Sequence, residues 1–169
     1  MKPKESLIIY IFRNYYLAMN PAKIIYKSHS PTCACKVSLD YLGDKWILII
    51  IRDLFRKKYT FSQFFDNPDE KIASSVLADR LKKLKSIGAI DFKYLNHNYK
   101  VKNYYLTDRG IQLYDVIFAL QLWTVNNVDF NYSVNTAKWK TDVNQQSHST
   151  YISNFKEEYT IFRKQLFGF

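Results

Sequence analysis

Between Cys33 and Trp123 the spacing of hydrophobic residues changes from a helical period to an alternating one and back again. This pattern predicts three helices, two strands and a further helix, in that order. The first helix is predicted to end near Arg56-Lys57-Lys58, because positive charge suits the carboxyl end of a helix. Its predicted buried stripe consists of Leu42, Trp46, Ile49 and Ile50.

Capping and turn residues mark the second and third helices. Thr60-Phe61-Ser62-Gln63 has the form of a capping box, which predicts the start of a short second helix. Asp66-Asn67-Pro68-Asp69 has the composition of a turn. Ser74 is the predicted cap of a third helix that ends at Gly88, a residue suited to the left-handed conformation. The predicted buried stripe of this third helix consists of Leu77, Leu81 and Leu84.

After Gly88 the alternating pattern predicts a two-stranded hairpin with a polar tip at Asn96-His97-Asn98. The first strand would place Ile90, Phe92 and Tyr94 on one side, and Lys102–Leu106 forms the second strand. Thr107 is the predicted cap of a last helix that packs back on the domain. The stripe predicted to make that contact consists of Leu113, Val116, Ile117, Leu120 and Trp123.

The predicted fold is therefore mainly α with a small β-hairpin (α+β), a winged helix-turn-helix domain over residues 31–127 with extra terminal helices. Residues 1–30 are predicted to form a helical extension used for dimerisation, ended by Asn20-Pro21. Residues 128–169 are a polar stretch followed by a helix with an apolar seam, and two interpretations of that seam stay open: it pairs with a second chain or docks on its own domain. Its residues are Ile152, Phe155, Tyr159, Phe162 and Leu166.

The charge of the chain favours a polyanionic partner. Lys and Arg number 25 against 15 Asp and Glu, a formal charge of +10, so DNA, RNA and an anionic membrane surface are the possible partners. The apolar runs Leu7–Phe12 and Trp46–Ile51 are far shorter than the roughly 20 residues of a bilayer-spanning helix. Arg13 interrupts the first run and no small-residue cleavage site follows, so we expect a cytoplasmic chain without a membrane partner.

The third helix carries the features of a DNA-reading element. Its predicted solvent side has hydroxyls near its start, where it could approach base edges, and cations further along, where phosphates would lie. Asp79 could accept from a cytosine amino group or orient a neighbouring cation. An ordinary solvated basic face is the alternative, but Lys93 and other cations of the hairpin favour DNA. The predicted DNA-binding residues are Ser62, Gln63, Ser74, Ser75, Ala78, Asp79, Arg80, Lys82, Lys83, His97, Asn98, Lys100 and Lys102.

In order and spacing, residues from Cys33 to Trp123 resemble the HxlR-type winged-helix regulators of bacteria. Gly43-Asp44-Lys45-Trp46 is similar to the family's Gly-Gly-Lys-Trp, and Phe61-Ser62-Gln63-Phe64 to its Phe-x-Glu-Leu. The run from Ile72-Ala73-Ser74 to Gly88-Ala89-Ile90 resembles its recognition helix, and Tyr104–Gly110 follows in order. Ala34 and Lys71 depart from a common proline and a common glycine.

The resemblance implies a homodimer that binds double-stranded DNA at an inverted repeat, with the third helix in the major groove and the wing on the backbone. A winged-helix module that binds proteins instead of DNA is the alternative function. The resemblance also implies that Cys33 is a possible redox-sensing thiol, with Lys36 and Lys45 as cations that could favour the thiolate. The alternative is that Cys33 is a buried small hydrophobic residue.

Little in the sequence points to a metal, a cofactor or catalysis. His29, Cys33 and Cys35 supply three metal-ligand types where structural zinc takes four. There is no glycine-rich phosphate loop and no nucleophile elbow, and His97 and His148 are interpreted as surface residues. We therefore expect a regulator without cofactor or metal, and not an enzyme.

Overall fold

The computed structural model describes residues 23–28, 30–66, 70–95 and 99–169. Within them the chain is mostly helical, with one antiparallel hairpin, which confirms the predicted winged helix-turn-helix. The helix predicted before Asn20-Pro21, residues 67–69 of the predicted turn and the predicted hairpin tip at 96–98 lie outside the described residues. The elements are α1 (Ala34–Leu42), α2 (Lys45–Phe55), α3 (Phe61–Phe65), α4 (Ser74–Ser86), β1 (Ile90–Tyr94), β2 (Lys102–Leu106), α5 (Asp108–Gln112), α6 (Tyr114–Asn127), α7 (Val134–Asn144) and α8 (His148–Phe167).

The predicted first helix is two helices, α1 and α2. A carboxylate oxygen of Asp44 accepts a hydrogen bond from the backbone N–H of Trp46 at 2.8 Å, which caps α2 and separates it from α1. Of the predicted stripe, Ile50 is buried and the half-buried Leu42 and Trp46 pack against the core, whereas Ile49 is only half-buried. Fully buried residues of α2 are Ile47, Ile50, Ile51 and Leu54.

The capping box that precedes α3 is confirmed. The Thr60 hydroxyl accepts from the backbone N–H of Gln63 at 3.3 Å, and the Gln63 side chain accepts from the backbone N–H of Thr60 at 3.0 Å. Ser74 was wrongly predicted as the cap of α4: it is the first helical residue, and Ala73 precedes it without a side-chain hydrogen bond. Gly88 follows the end of α4 with φ +66°, as predicted for a left-handed terminator.

The hairpin pairs Ile90 with Leu106 at its base and Tyr94 with Lys102 towards its tip. Ile90 and Leu106 are buried and Tyr104 packs against the core, whereas Tyr94 is exposed, so the hairpin leaves the core towards its tip. The backbone N–H of Tyr104 also donates to the carbonyl of Tyr59 at 2.7 Å. The segment before α3 therefore joins the wing to the helical core.

The helix predicted after the hairpin is divided into α5 and α6. Thr107 caps α5 as predicted, since its hydroxyl accepts from the backbone N–H of Gly110 at 3.2 Å. The stripe predicted for this region was right for Ile117, which is buried, and for Leu113, which packs against the core, but the other buried residues of α6 are Tyr114 and Phe118. Three members of the predicted stripe are exposed instead: Val116, Leu120 and Trp123.

The C-terminal part packs against the winged-helix core of the same chain. The ring of Tyr159 in α8 lies 5.1 Å from that of Phe55, and its hydroxyl accepts from the backbone N–H of Leu106 at 2.9 Å. Arg163 donates to the carbonyl of Leu106 at 3.0 Å. The polar stretch before α8 contains a helix, α7, which the sequence did not predict. No helix among the described residues has the length and apolar character needed to cross a bilayer.

Candidate nucleic-acid interface

Helix α4 has a buried face and a solvent face, divided as the sequence predicts. Leu77, Leu81 and Leu84 are almost completely buried against the core. The opposite face carries small and polar side chains at its start and Lys82 further along. Its exposed residues include Ser74, Ser75, Ala78, Asp79, Lys82 and Ser86.

Two of the predicted DNA-binding cations of α4 are tied to the protein instead of extending from it. Arg80 is half-buried and donates to the Asp44 carboxylate at 2.8 Å, and it also forms an ion pair with Asp79. The hydrogen bond from Arg80 holds the pKa of Asp44 below its ordinary value. Lys83 is half-buried and donates to the backbone carbonyl of Asp40 in α1 at 2.9 Å. Both side chains thus fix the position of α4.

The two DNA-binding residues predicted on the second helix, which is α3, lie at the start of that helix. Ser62 and Gln63 are exposed, but the Gln63 side-chain oxygen accepts from the backbone N–H groups of Tyr59 and Thr60 at 2.8 and 3.0 Å. The Ser62 hydroxyl lies 3.2 Å from that of Thr60. Gln63 is therefore oriented by the capping box.

The wing brings cations beside α4 in an arrangement that the sequence did not reveal. Lys85 of α4 and Lys102 of β2 lie 4.4 and 4.6 Å from the ring centroid of Phe92, and Lys85 also pairs with Asp91. Phe92 and Lys102 are diagonal neighbours across the strands, so the register of the hairpin was the signal that could have shown their contact.

The other wing residues differ in their placement. Lys100 is exposed. Lys93, counted among the cations of the hairpin, donates to the carbonyl of Phe167 at the end of α8 at 2.8 Å, so it serves the packing of the C-terminal helix. His97 and Asn98 lie outside the described residues. Lys100 and Lys102 are thus exposed cations of the wing.

A buried ionic network in α2 was also missed by sequence reasoning. Asp53 is 1% exposed and accepts from Arg52 at 2.7 Å and from Lys58 at 3.1 Å. Arg52 also donates to Glu70 at 2.7 Å, in the segment just before α4. Buried charges require such partners, and the adjacent opposite charges of Arg52-Asp53 inside an apolar helix were the available signal. The network links α2 to the entrance of α4.

Cys33 is exposed, which overturns the alternative of a buried small hydrophobic residue. It precedes α1, where the backbone N–H groups of Lys36 and Cys35 lower the pKa of its thiol. The predicted cations are elsewhere: the Lys36 amine donates to Asp40 at 2.9 Å, and that of Lys45 lies over the Trp46 ring at 4.6 Å. Here the backbone at the start of the helix favours the thiolate, and no lysine side chain is needed for that effect.

The fold, with the solvent face of helix α4 and the wing, is that of the winged helix-turn-helix transcriptional regulators. The sequence profile of the HxlR-like helix-turn-helix family matches residues 41–132, more than half of the chain. The chain therefore belongs to the HxlR-like helix-turn-helix family. No curated protein matches it.

Solved structures agree with this assignment. PA1607, a candidate transcription factor, is 26% identical, with a TM-score of 0.54 over 62% of this chain and 71% of its own. The redox regulator HypR in its oxidised form is 26% identical, with a TM-score of 0.51 over 58% of this chain and 100% of its own. A candidate regulator of the MarR family from Porphyromonas gingivalis W83 is 24% identical, covers 61% and 100% of the two chains at a TM-score of 0.51, and shows the fold alone.

Proposed function

We propose that the chain is a sequence-specific DNA-binding regulator that acts as a homodimer on an inverted-repeat operator. The observation that carries this proposal is the exposed face of α4, which has small side chains at its start and Lys82 further along, while Lys85 near its end shares the ring of Phe92 with Lys102 of the wing. Ser74, Ser75 and Ala78 let the helix backbone come close to the floor of a major groove. The hydroxyls then hydrogen-bond to base edges, and Lys82 binds a phosphate.

In this arrangement the wing binds the DNA backbone beside the groove. Lys100 and Lys102 contribute positive charge there, and the contact of Lys102 with Phe92 directs its amine along the hairpin. Arg80 and Lys83 act as positioning residues, because their partners Asp44 and Asp40 belong to other helices. Asp79 pairs with Arg80, which supports the second of its two predicted roles, orientation of a cation.

The exposed apolar face of α6 supports a homodimer. Leu120 is 47% exposed and Trp123 61% exposed, and Val116 lies on the same face. Large apolar side chains grouped in this way usually mark an interaction surface. A second copy packed on this face through a two-fold axis would place two α4 helices on the half-sites of an inverted repeat, about 34 Å or a multiple of it apart.

The exposed thiol of Cys33 supports a redox input to this regulator. A thiolate attacks hydrogen peroxide to give a sulfenic acid and hydroxide, and the sulfenic acid condenses with a second thiol to give a disulfide and water. The helix start lowers the pKa of Cys33, which raises the fraction in the reactive form. The similarity to a structure described as a redox regulator is consistent with this input.

The proposal is tested by the salt dependence of binding to DNA from the region upstream of the gene. Each phosphate contact adds about 0.9 to the slope of log affinity against log salt, so Lys82→Ala and Lys102→Ala should each lower the slope by about one. Lys140→Ala, an exposed lysine of α7, is the matched control and should leave the slope unchanged. If Lys82→Ala binds every fragment as the wild type does, the assignment of the α4 face to DNA binding is wrong. A dimer that binds no DNA would instead favour the alternative function, a module that binds proteins.

A further inference from the structure

A cleft of about 660 Å³ opens between the winged-helix core and the C-terminal helices. Its walls come from α2 and α6 on one side and from α7 and α8 on the other. Helices α7 and α8 follow the segment that matches the family, which ends at residue 132. The volume lies in the range of small-molecule sites, about 300–1,000 Å³. The part of the chain beyond the family match thus adds a concave site to the common fold.

The floor of the cleft is aromatic. The rings of Tyr114 and Phe155 stack at 4.3 Å between centroids with an angle of 16°, and Phe55 lies 4.9 Å from Tyr114. The ring of Tyr151 is also nearly parallel to that of Phe155, at 6.1 Å between centroids. Burial raises the pKa of both tyrosine hydroxyls, so both stay protonated near neutral pH. Flat, rigid apolar surfaces of this kind favour a planar ligand.

One polar atom on this lining lacks a partner. Trp139 is 8% exposed, and among the described residues its indole N–H makes no hydrogen bond of ordinary geometry. It faces the hydroxyl of Tyr114, where it counteracts the rise in pKa, but that interaction does not satisfy it. A buried donor without an acceptor carries a free-energy cost of about 1–3 kcal/mol. A ligand atom that accepts this hydrogen would remove the cost.

The charged groups at the rim of the cleft are engaged with one another. Lys138 pairs with Asp142 at 2.8 Å, and Glu158 pairs with Lys57 at 2.7 Å. Arg52 and Arg56 also line the cleft, where Arg52 pairs with Asp53 and Glu70 and Arg56 interacts electrostatically with Glu70. The uncharged polar lining includes the amides of Gln121, Asn135 and Gln145. A charged ligand would have to break an existing pair or remain uncompensated, so the lining selects an uncharged molecule.

We propose that this cleft binds an uncharged, planar aromatic molecule whose carbonyl oxygen or ring nitrogen accepts the indole hydrogen of Trp139. Arg52 lines the same cleft and donates to Glu70, four residues before α4 begins. A ligand packed against Arg52 therefore acts on the entrance of α4, and the cleft is an effector site. This last step rests on the proposed DNA-binding function, whereas binding of the ligand does not.

Binding is tested on the full chain by two-dimensional ¹H–¹⁵N NMR, with xanthone, a planar neutral ketone, as the probe. The chain has three tryptophans, and Trp46→Phe and Trp123→Phe assign the indole signals by elimination without altering the cleft. Xanthone should shift the Trp139 indole signal in a saturable way and leave those of Trp46 and Trp123 in place. Xanthene, which has the same rings without the carbonyl, should bind at least about tenfold more weakly, because it offers Trp139 no carbonyl acceptor.

Asn154 lines the cleft on α8, and Glu157 is exposed on the same helix outside the lining. Asn154→Phe should abolish the xanthone shift, and Glu157→Phe should retain it. An unshifted Trp139 signal, equal effects of xanthone and xanthene, or equal binding by the two variants would overturn the site. Separately, xanthone should change operator affinity in the wild type but not in Asn154→Phe. If Trp139 shifts while operator affinity stays constant, the link through Arg52 is wrong, and a chain that binds no DNA contradicts the proposed function alone.

Discussion

The carboxylate of Asp44 connects the start of α2 to the middle of α4 through Arg80. One oxygen accepts from the backbone N–H of Trp46 at 2.8 Å, and the other accepts from the Arg80 guanidinium at 2.8 Å. A single side chain therefore caps α2 and holds α4, which makes the position of α4 depend on Asp44.

Substitutions that remove this connection should lower the free energy of unfolding, and Asp44→Ala should lower it more than Asp44→Asn. Asp44→Ala loses both the cap and the ion pair, and the cap alone is worth about 1–2 kcal/mol. Asp44→Asn keeps an acceptor for the backbone of α2 and should lose less free energy of unfolding. Asp129→Ala, at an exposed loop position, is the control and should stay within about 0.5 kcal/mol of the wild type. Urea unfolding measures all three, and equal losses for Ala and Asn would show that the cap plays no part.

The ion pair of Glu70 with Arg52 should make stability depend on acid pH. The hydrogen bond from Arg52 lowers the pKa of Glu70 from its ordinary 4.5. A pKa that is lower in the folded state gives stability that is present above the unfolded value and is lost as pH falls through the folded value. The destabilisation caused by Glu70→Gln should therefore be largest above about pH 4.5 and shrink at lower pH. Urea unfolding of both proteins from pH 6 down to about pH 3 tests this, and a difference that does not vary with pH contradicts it.

Gly110 marks a close approach between α5 and the start of the wing. A Cβ at this position would lie 1.9 Å from the backbone oxygen of Ala89, so the backbone itself would have to move. Gly110→Ala should lower the free energy of unfolding by about 3 kcal/mol. At Gly168 nothing lies within 4 Å, and Gly168→Ala should cost only the strain of its positive φ, about 1–2 kcal/mol. A thermal unfolding comparison in which the two variants lose equal stability would contradict the contact.

The parts of the fold that were predicted correctly are those specified by neighbouring residues. The capping box at Thr60, the terminator Gly88 and the cap Thr107 each act within a few residues, so the sequence displays them. The stripe predicted for α6 was only partly right, because this helix has apolar residues on two faces and periodicity does not say which face meets the core. Helix α7 was missed because a polar stretch becomes helical around two buried residues, Trp139 and Val143.

The predictions for the candidate site divide in the same way, into features set by neighbouring residues and features set by packing. The solvent face of α4 could be predicted, because its three leucines define the buried side. The partners of its cations could not, since Arg80 reaches Asp44 and Lys83 reaches Asp40, 36 and 43 residues away. Contacts over that separation exist only once the helices have packed, so sequence reasoning counted both cations as free to bind DNA.

The exposed face of α6 predicts that one substitution should separate the two copies of a dimer. Leu120→Glu would bury a carboxylate in an apolar interface, where it has no partner and costs several kcal/mol. Sedimentation velocity should then show a monomer with an unchanged circular dichroism spectrum. Ser153→Glu, at an exposed position of α8, is the control and should remain a dimer. A dimeric Leu120→Glu protein would place the interface elsewhere.

Cys33 and Cys35 provide a matched pair for the redox input. The backbone N–H groups of Lys36 and Cys35 lower the pKa of the Cys33 thiol from its ordinary 9.0, so its alkylation by iodoacetamide should rise through a midpoint below that pH. Hydrogen peroxide should alter operator binding by the wild type and by Cys35→Ser, whereas Cys33→Ser should not respond, because serine forms no sulfenic acid. Mass spectrometry would locate the oxidised residue, and gel shifts would measure binding. An undiminished peroxide response in Cys33→Ser would assign the input to another group.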